Sequence, residues 1–132
     1  MVKILDASAL VAYLWKQSGY ESVQDLLSKA AASERRLLMA AVNFGEVYYL
    51  LLRDHGLEDA DKILKFIETL PIDFVEVDMG LAKQAAIYKA TKKLPYADCF
   101  AAALAKVHKG EIVTGDKEFK TVESEIKIVW VG

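Results

Sequence analysis

Short runs of aliphatic and β-branched residues alternate along this chain with longer segments in which apolar residues recur every three or four positions. The short runs predict buried strands, and the longer segments predict helices that pack by one face. The predicted strands are Val2–Leu5, Arg36–Met39, Phe74–Val77, Glu111–Val113 and Lys127–Val131. Because strands and helices alternate, the order favours right-handed βαβ units. We therefore predict an α/β sandwich, in which helices cover both faces of a five-stranded, mostly parallel sheet.

Six segments carry a helical pattern. They are Ala9–Lys16, Glu21–Ala32, Phe44–Leu52, Asp59–Leu70, Met79–Lys93 and Tyr96–His108. In Asp59–Leu70 an apolar stripe alternates with charged positions, so this helix should bury one face. Ser18 and Glu21 have the spacing of a capping box at the start of the second helix. No repeat or long linker interrupts the pattern, and we expect residues 1–132 to form a single domain.

The segment Phe44–Leu52 carries apolar side chains on nearly every side of its predicted helix. A helix of this kind is covered on more than one side. It is either a central helix buried within the monomer or part of an interface, because large exposed apolar patches mark interaction surfaces. On this feature we favour a homodimer.

The composition is that of a folded globular protein, with 54% hydrophobic and 27% charged residues. That apolar content is enough to offset the conformational entropy lost on folding. A net charge of −2 gives no long-range attraction to nucleic acid, since proteins that bind nucleic acid usually present a basic face. Any contact with nucleic acid must therefore be local and assisted by divalent cations.

Cysteine and histidine are scarce. The single cysteine, Cys99, excludes an internal disulfide, and with only His55 and His108 the chain has too few soft ligands for a typical structural zinc site. The N-terminal segment reaches Asp6 before a signal-type apolar core can form, and no apolar run approaches the roughly 20 residues of a membrane span. We expect a soluble protein of the reducing cytoplasm.

Two acids follow predicted strands. Asp6 comes directly after the first strand, and Asp116 follows the fourth strand. Ligands of open α/β sheets bind beyond the carboxyl ends of the strands, which is where both acids should lie. Each also has a structural interpretation, because aspartate is a preferred helix N-cap and a common turn residue.

Two further acids belong to the openings of predicted helices. Asp98 lies in the first turn of Tyr96–His108, where the helix dipole favours a negative charge, and Glu46 follows Asn43 at the spacing of a capping box. Taken together, the four acids can converge on one crevice. Several uncompensated carboxylates repel one another and raise each other's pKa values, so such a cluster makes sense mainly as a cation site. All-oxygen ligands favour magnesium or manganese over zinc.

These segments resemble motifs of the PIN-domain family, and within it those of VapC-like toxins of toxin–antitoxin systems. The resemblance covers essentially the whole chain. Its four motifs are Asp6-Ala7-Ser8-Ala9, the glutamate Glu46 early in a helix, Leu94-Pro95-Tyr96-Ala97-Asp98-Cys99-Phe100-Ala101-Ala102-Ala103 and Thr114-Gly115-Asp116-Lys117-Glu118-Phe119. The resemblance implies a 5′-nuclease-like acidic centre with one or two divalent metals, and cleavage of single-stranded RNA. It also implies a homodimer and a small VapB-like antitoxin whose C-terminal segment blocks the active-site groove.

On this resemblance Asp6, Asp98 and Asp116 are expected metal ligands for Mg²⁺ or Mn²⁺, and Glu46 either binds metal or orients the attacking water. Ser8 and Thr114 would support these ligands through their hydroxyl groups, although either hydroxyl would also serve as a simple cap. The candidate phosphate contacts are Arg53, Lys92, Lys93, Lys117 and Lys120. The aromatic residues Tyr13, Trp15 and Tyr20 are candidates for base stacking or for antitoxin binding, and at least one is expected to pack in the core.

Other functions compete with this prediction. A haloacid-dehalogenase-type phosphatase would need a second aspartate two residues after Asp6, where the chain has Ser8. A receiver-type phosphorylation switch would need paired acids near the first strand. A PIN fold that acts as a non-catalytic RNA-binding or scaffold module remains open, as does an RNA-processing or quality-control nuclease outside a toxin pair.

Overall fold

The computed structural model describes all 132 residues. Its single sheet contains five strands, all parallel, in the order β3-β2-β1-β4-β5. The strands are β1 Lys3–Leu5, β2 Leu37–Ala40, β3 Ile72–Val75, β4 Glu111–Thr114 and β5 Ile128–Trp130. The predicted α/β sandwich with a five-stranded parallel sheet is confirmed.

Five α-helices and one 3-10 helix surround the sheet. They are α1 Ala7–Leu14, α2 Tyr20–Ser33, α3 Ala41–Ile67, α4 Met79–Thr91, α5 Tyr96–His108 and the 3-10 helix Lys117–Val122. Neighbouring residues of a strand point to opposite faces, and the two cores follow this rule. Ile4 and Ile112 belong to the core under α4 and α5, whereas Leu5 and Val113 belong to the core under α1, α2 and α3.

The third strand begins two residues earlier than its apolar pattern predicts. The predicted strand Phe74–Val77 is Ile72–Val75 in the structure. Its pairing with β2 explains the difference, because Leu37 lies opposite Ile72 and the Leu37 amide donates to the Pro71 carbonyl at 2.9 Å. Hydrogen bonding to β2 therefore determines where this edge strand begins and ends, and the hydrophobicity of its single residues does not.

The span labelled α3 consists of two helices that meet at a kink, in agreement with the two helices that the sequence predicts. It runs from Ala41 to Ile67 and is interrupted only at Gly56, whose φ of +80° and ψ of 170° are not helical. Since the helix starts at Ala41, Asn43 lies inside its first turn, and the predicted capping box of Asn43 and Glu46 is wrong. The capping box of Ser18 and Glu21 is also wrong, because α2 begins after Gly19, and no side chain caps it.

The apolar segment of α3 is only partly covered. Val47 and Leu51 are buried, but Tyr49 is 60% exposed, and Phe44 and Leu52 are half-buried. Within one chain the segment is therefore covered over part of its surface, and the homodimer stays a prediction. No helix in the structure combines the length and the hydrophobicity needed to cross a membrane.

Candidate metal centre

The carboxyl ends of β1 and β4 place two of the predicted acids at one edge of the sheet. These strands are neighbours and pair in parallel, with Leu5 opposite Val113. Asp6 follows β1 directly, is 1% exposed and caps α1 by accepting the Ala9 amide at 2.9 Å. Asp116 caps the 3-10 helix by accepting the amide of Glu118 at 2.9 Å. Both acids therefore have the capping role that the sequence allowed, in addition to their place at this edge.

Asp98 and Glu46 reach the same edge from two helices. Asp98 lies in the first turn of α5 and is 9% exposed. Glu46 lies in α3, where its Oε1 accepts a hydrogen bond of 3.1 Å from Nδ2 of the buried Asn43. The same Nδ2 donates to the Ala97 carbonyl at 3.0 Å. Asn43 thus ties Glu46 to the residue before Asp98.

Two hydroxyl groups fix the carboxylate of Asp6. Ser8 Oγ lies 2.9 Å from both of its oxygens, and Thr114 Oγ1 donates to Oδ2 at 2.5 Å. The Thr114 hydroxyl also accepts the amide of Asp116 at 2.9 Å. Because Thr114 is fully buried, this network holds the loops after β1 and β4 in one arrangement.

Burial and repulsion raise the pKa values of two acids of this cluster, Asp98 and Asp6. The pKa of Asp98 rises to about 8, first because burial disfavours its charge and then because Asp116, Asp6 and Glu46 lie near it. Burial also raises the pKa of Asp6 to about 6, against the opposing hydrogen bonds from Thr114, Ala9 and Ser8. None of the four acids forms a salt bridge with a lysine or arginine. The protein itself therefore leaves this negative charge uncompensated.

The structure adds a fifth acid that the sequence analysis did not select. Carboxylate oxygens of Asp98, Asp116 and Glu118 all lie within 4.8 Å of one another. The fifth acid is Glu118. In the sequence it stands two residues after Asp116, at the start of the same 3-10 helix, and this position could have identified it.

The donor set fits a hard divalent cation, because it consists of carboxylate oxygens with no basic partner. One further oxygen near the cluster lacks a partner: Oδ1 of Asn43 is buried and accepts no hydrogen bond. A cation bound here would offset the repulsion between these carboxylates.

The sequence of residues 3–125 matches the model of the PIN domain. This chain belongs to the PIN-domain family. No curated protein sequence matches it, so closer relatives do not narrow the assignment.

Solved structures of toxin–antitoxin proteins share the fold of this PIN domain. VapBC2 from Rickettsia felis, bound to a promoter DNA fragment, is similar with a TM-score of 0.77 at 15% identity over 100% of both chains. DNA-bound VapBC from Salmonella typhimurium has a TM-score of 0.74 at 17% identity, over 98% of this chain and 97% of that chain. VapC20 from Mycobacterium tuberculosis, a toxin that cleaves the sarcin–ricin loop, has a TM-score of 0.69 at 15% identity, over 89% of this chain and 92% of its own. Identities this low show a common fold.

The predicted phosphate contacts of the PIN domain differ in their surroundings. Arg53 is paired with Asp54 at 2.8 Å, and Lys92 is paired with Glu125 at 3.1 Å. The other three, Lys93, Lys117 and Lys120, are exposed and have no salt bridge. Lys117 and Lys120 belong to the 3-10 helix that Asp116 caps, so these two lie closest in sequence to the acidic edge.

The three aromatic residues singled out in the sequence line one cavity of the PIN domain. Tyr13, Trp15 and Tyr20 border a mainly apolar groove of about 500 Å³ between α1, α2 and α3. Within it Tyr13 stacks on Phe66 at a centroid distance of 6.4 Å. The groove lies outside the acidic cluster, since none of the five acids lines it.

Proposed function

We propose that this PIN domain, residues 1–132, is a divalent-metal-dependent endoribonuclease that cleaves single-stranded RNA. The observation that carries the proposal is the set of five acids at one sheet edge, none of which has a basic partner. Phosphodiester hydrolysis needs charge neutralisation and an activated water, and acids of this kind recruit the cations that provide both.

Asp6, Asp98 and Asp116 are the proposed ligands of Mg²⁺ or Mn²⁺, with Glu118 as an additional ligand. When bound, a divalent cation neutralises charge on the scissile phosphate and lowers the pKa of a water molecule. Ser8 and Thr114 hold the Asp6 carboxylate by the hydrogen bonds described above, so that its oxygens stay oriented.

Glu46 has a different proposed role. Asn43 donates to one of its carboxylate oxygens, which leaves the other oxygen to accept a proton from the attacking water or to bind a cation. A general base must be held within hydrogen-bond reach of the proton that it removes. The contact from Asn43 limits the rotation of Glu46 and thereby keeps it aimed at the acidic edge.

RNA is the proposed substrate because VapC20, which shares this fold, is a toxin that cleaves an RNA loop. The VapBC complexes of the same fold support a small VapB-like antitoxin as partner. We assign its docking to the aromatic groove of Tyr13, Trp15 and Tyr20, because an apolar concave surface suits an inserted protein segment. A homodimer that covers the exposed side of Tyr49 and a cytoplasmic location complete the proposal.

The test is cleavage of a mixed-sequence single-stranded RNA by purified protein in magnesium, manganese or chelator. The native chain is compared with Asp6→Asn and Asp98→Asn. The matched control is Asp25→Asn, the same chemical change at an exposed residue of α2 that pairs with Lys29. We expect metal-dependent cleavage by the native protein and by the control, and loss of cleavage in both cluster variants.

Equal residual cleavage in all four proteins would reveal a contaminating nuclease. Absence of cleavage by the metal-loaded native protein on several RNAs, with RNA binding retained, would replace the proposal with a non-catalytic RNA-binding module. Cleavage of single-stranded DNA at the same rate as RNA would refute the assigned substrate.

A further inference from the structure

Two basic grooves lie at the amino ends of the strands, opposite the acidic cluster. The first groove, of about 520 Å³, is lined by Lys3, Lys29, Arg35 and Arg36 among its polar residues. The second groove, of about 440 Å³, is lined by Lys106, Lys109 and Lys127, with Glu125 as its single acid. Seven basic side chains and one acidic side chain line the two grooves. Four of the basic side chains pair with Asp25, Asp73 or Glu111 beside the grooves.

The two grooves adjoin at one residue. Met1 lines both of them. Between them, Glu111 at the start of β4 accepts Lys3 on one oxygen and Lys127 on the other, each at 3.1 Å. The adjacency of β1, β4 and β5 in the sheet makes this bridge, so that one basic surface runs across the amino edge.

Three cations of this surface have no carboxylate partner. Arg35, Lys106 and Lys109 are exposed, and none of them takes part in a salt bridge. The chain as a whole carries a net charge of −2, so the excess of positive charge at this edge is matched by a net negative charge on the rest of the chain. Charge separation of this kind orients a polyanion by its field alone.

We infer that these grooves bind the phosphodiester backbone of RNA outside the segment that is cleaved. The inference rests on the proposed function, since it extends the same substrate to a second surface. Without a bound cation the acidic edge repels phosphates, so the unpaired cations of the amino edge add attraction that the acids do not supply. A concave groove also fits an RNA chain better than it fits a flat membrane.

The distance between the two edges sets the class of substrate. A strand of four residues is about 13 Å long, and the loops at both ends add to this separation. An RNA that occupies the acidic edge and the grooves must therefore extend around the domain. This requires a long or folded RNA rather than a short oligonucleotide.

The experiment measures binding in chelator, where cleavage does not interfere. The probes are a folded RNA and an oligonucleotide of about eight nucleotides, a length within the site of one small binding module. The test variant is Arg35→Glu with Lys109→Glu. The control is Lys65→Glu with Lys83→Glu, which makes the same change in net charge at exposed lysines outside both grooves. Thermal unfolding confirms that both double variants fold.

We expect the groove variant to bind the folded RNA about tenfold more weakly than the control variant does. The slope of the logarithm of its binding constant against the logarithm of the salt concentration should be smaller in magnitude by about 1.4, because two phosphate contacts of about 0.7 each are lost. In magnesium or manganese we expect both variants to cleave the oligonucleotide at equal rates, because an RNA of this length does not reach from the acidic edge to the grooves. Equal binding of the folded RNA by groove and control variants would overturn the inference, as would tighter binding to an acidic protein or to anionic vesicles than to RNA.

The two proposals fail separately. Cleavage by the native protein without groove-dependent binding would refute the inference and leave the nuclease intact. Groove-dependent binding without any cleavage would refute the nuclease and leave an RNA-binding surface.

Discussion

Replacing Asp98 with asparagine should stabilise the metal-free protein although it removes a proposed metal ligand. The folded protein holds this carboxyl group among three other acids and away from water, which raises its pKa from 3.8 to about 8. The unfolded chain has no such constraint. At neutral pH, folding must therefore either bury a charge or take up a proton, and asparagine avoids both costs.

The magnitude follows from linkage between protonation and folding. One pKa unit corresponds to about 1.4 kcal/mol, so a shift of about four units sets a ceiling of about 6 kcal/mol. Because solvent screens part of the repulsion, we expect a gain of about 2 kcal/mol. The pKa of Asp98 is raised on folding, so the stability of the native protein falls as the pH increases from about 4 to about 8. The gain from asparagine is accordingly absent below pH 4 and complete above pH 8.

The assay is urea unfolding of the native protein and of Asp98→Asn in chelator between pH 4 and pH 9. We expect the two stability curves to diverge as the pH increases. Added manganese should close the gap, because a ligand that binds only the folded state stabilises it in proportion to its affinity. Parallel curves, or a variant that is less stable at pH 8, would refute the argument that this cluster is electrostatically strained without a cation.

Three further predictions concern single contacts. Thr114→Val should destabilise the protein by about 2 kcal/mol in urea unfolding, because it removes the buried hydroxyl that donates to Asp6. Thr114→Ser keeps a hydroxyl and should lower the free energy of unfolding much less. Equal losses of stability in the two variants would contradict this prediction. Gly45→Ala should stabilise α3 by about 1 kcal/mol, since nothing lies within 4 Å of the added carbon. Gly110→Ala should destabilise the protein, because its added carbon would lie 2.6 Å from the Val2 carbonyl oxygen. Thermal unfolding should therefore give Gly45→Ala the higher melting temperature, and the reverse order would contradict both predictions. Glu118→Gln should weaken manganese binding several-fold in calorimetry without changing stability, and unchanged affinity would exclude Glu118 as a ligand.

The sequence predicted the sandwich because two patterns of apolar residues are strong here, the short runs of the strands and the recurrence every three or four residues in the helices. The alternation of Ile4 and Leu5, and of Ile112 and Val113, serves two cores, so these strands are apolar on both faces and easily found. The edge strand β3 carries Asp73 in mid-strand, and only pairing with β2 fixes its bounds. Local apolar pattern does not contain that information.

The acids of the cluster were predictable because each adjoins a strand end or a helix start. Glu118 was missed, since its oxygen approaches Asp98 only when the chain from α5 to the 3-10 helix has folded back along β4. The basic grooves were missed for a similar reason. Lys3 and Lys127 are 124 residues apart in sequence, and the order of the strands brings both to Glu111.

The pairing of β1 with β4 has a consequence for synthesis of the protein. Lys3 lies opposite Glu111, so the centre of the sheet joins two segments that are 108 positions apart in the sequence. Asp6 and Asp116 can therefore meet only after the ribosome has translated the chain beyond Asp116. Until then the nascent chain holds its acids apart, and a fragment released early has no assembled acidic cluster.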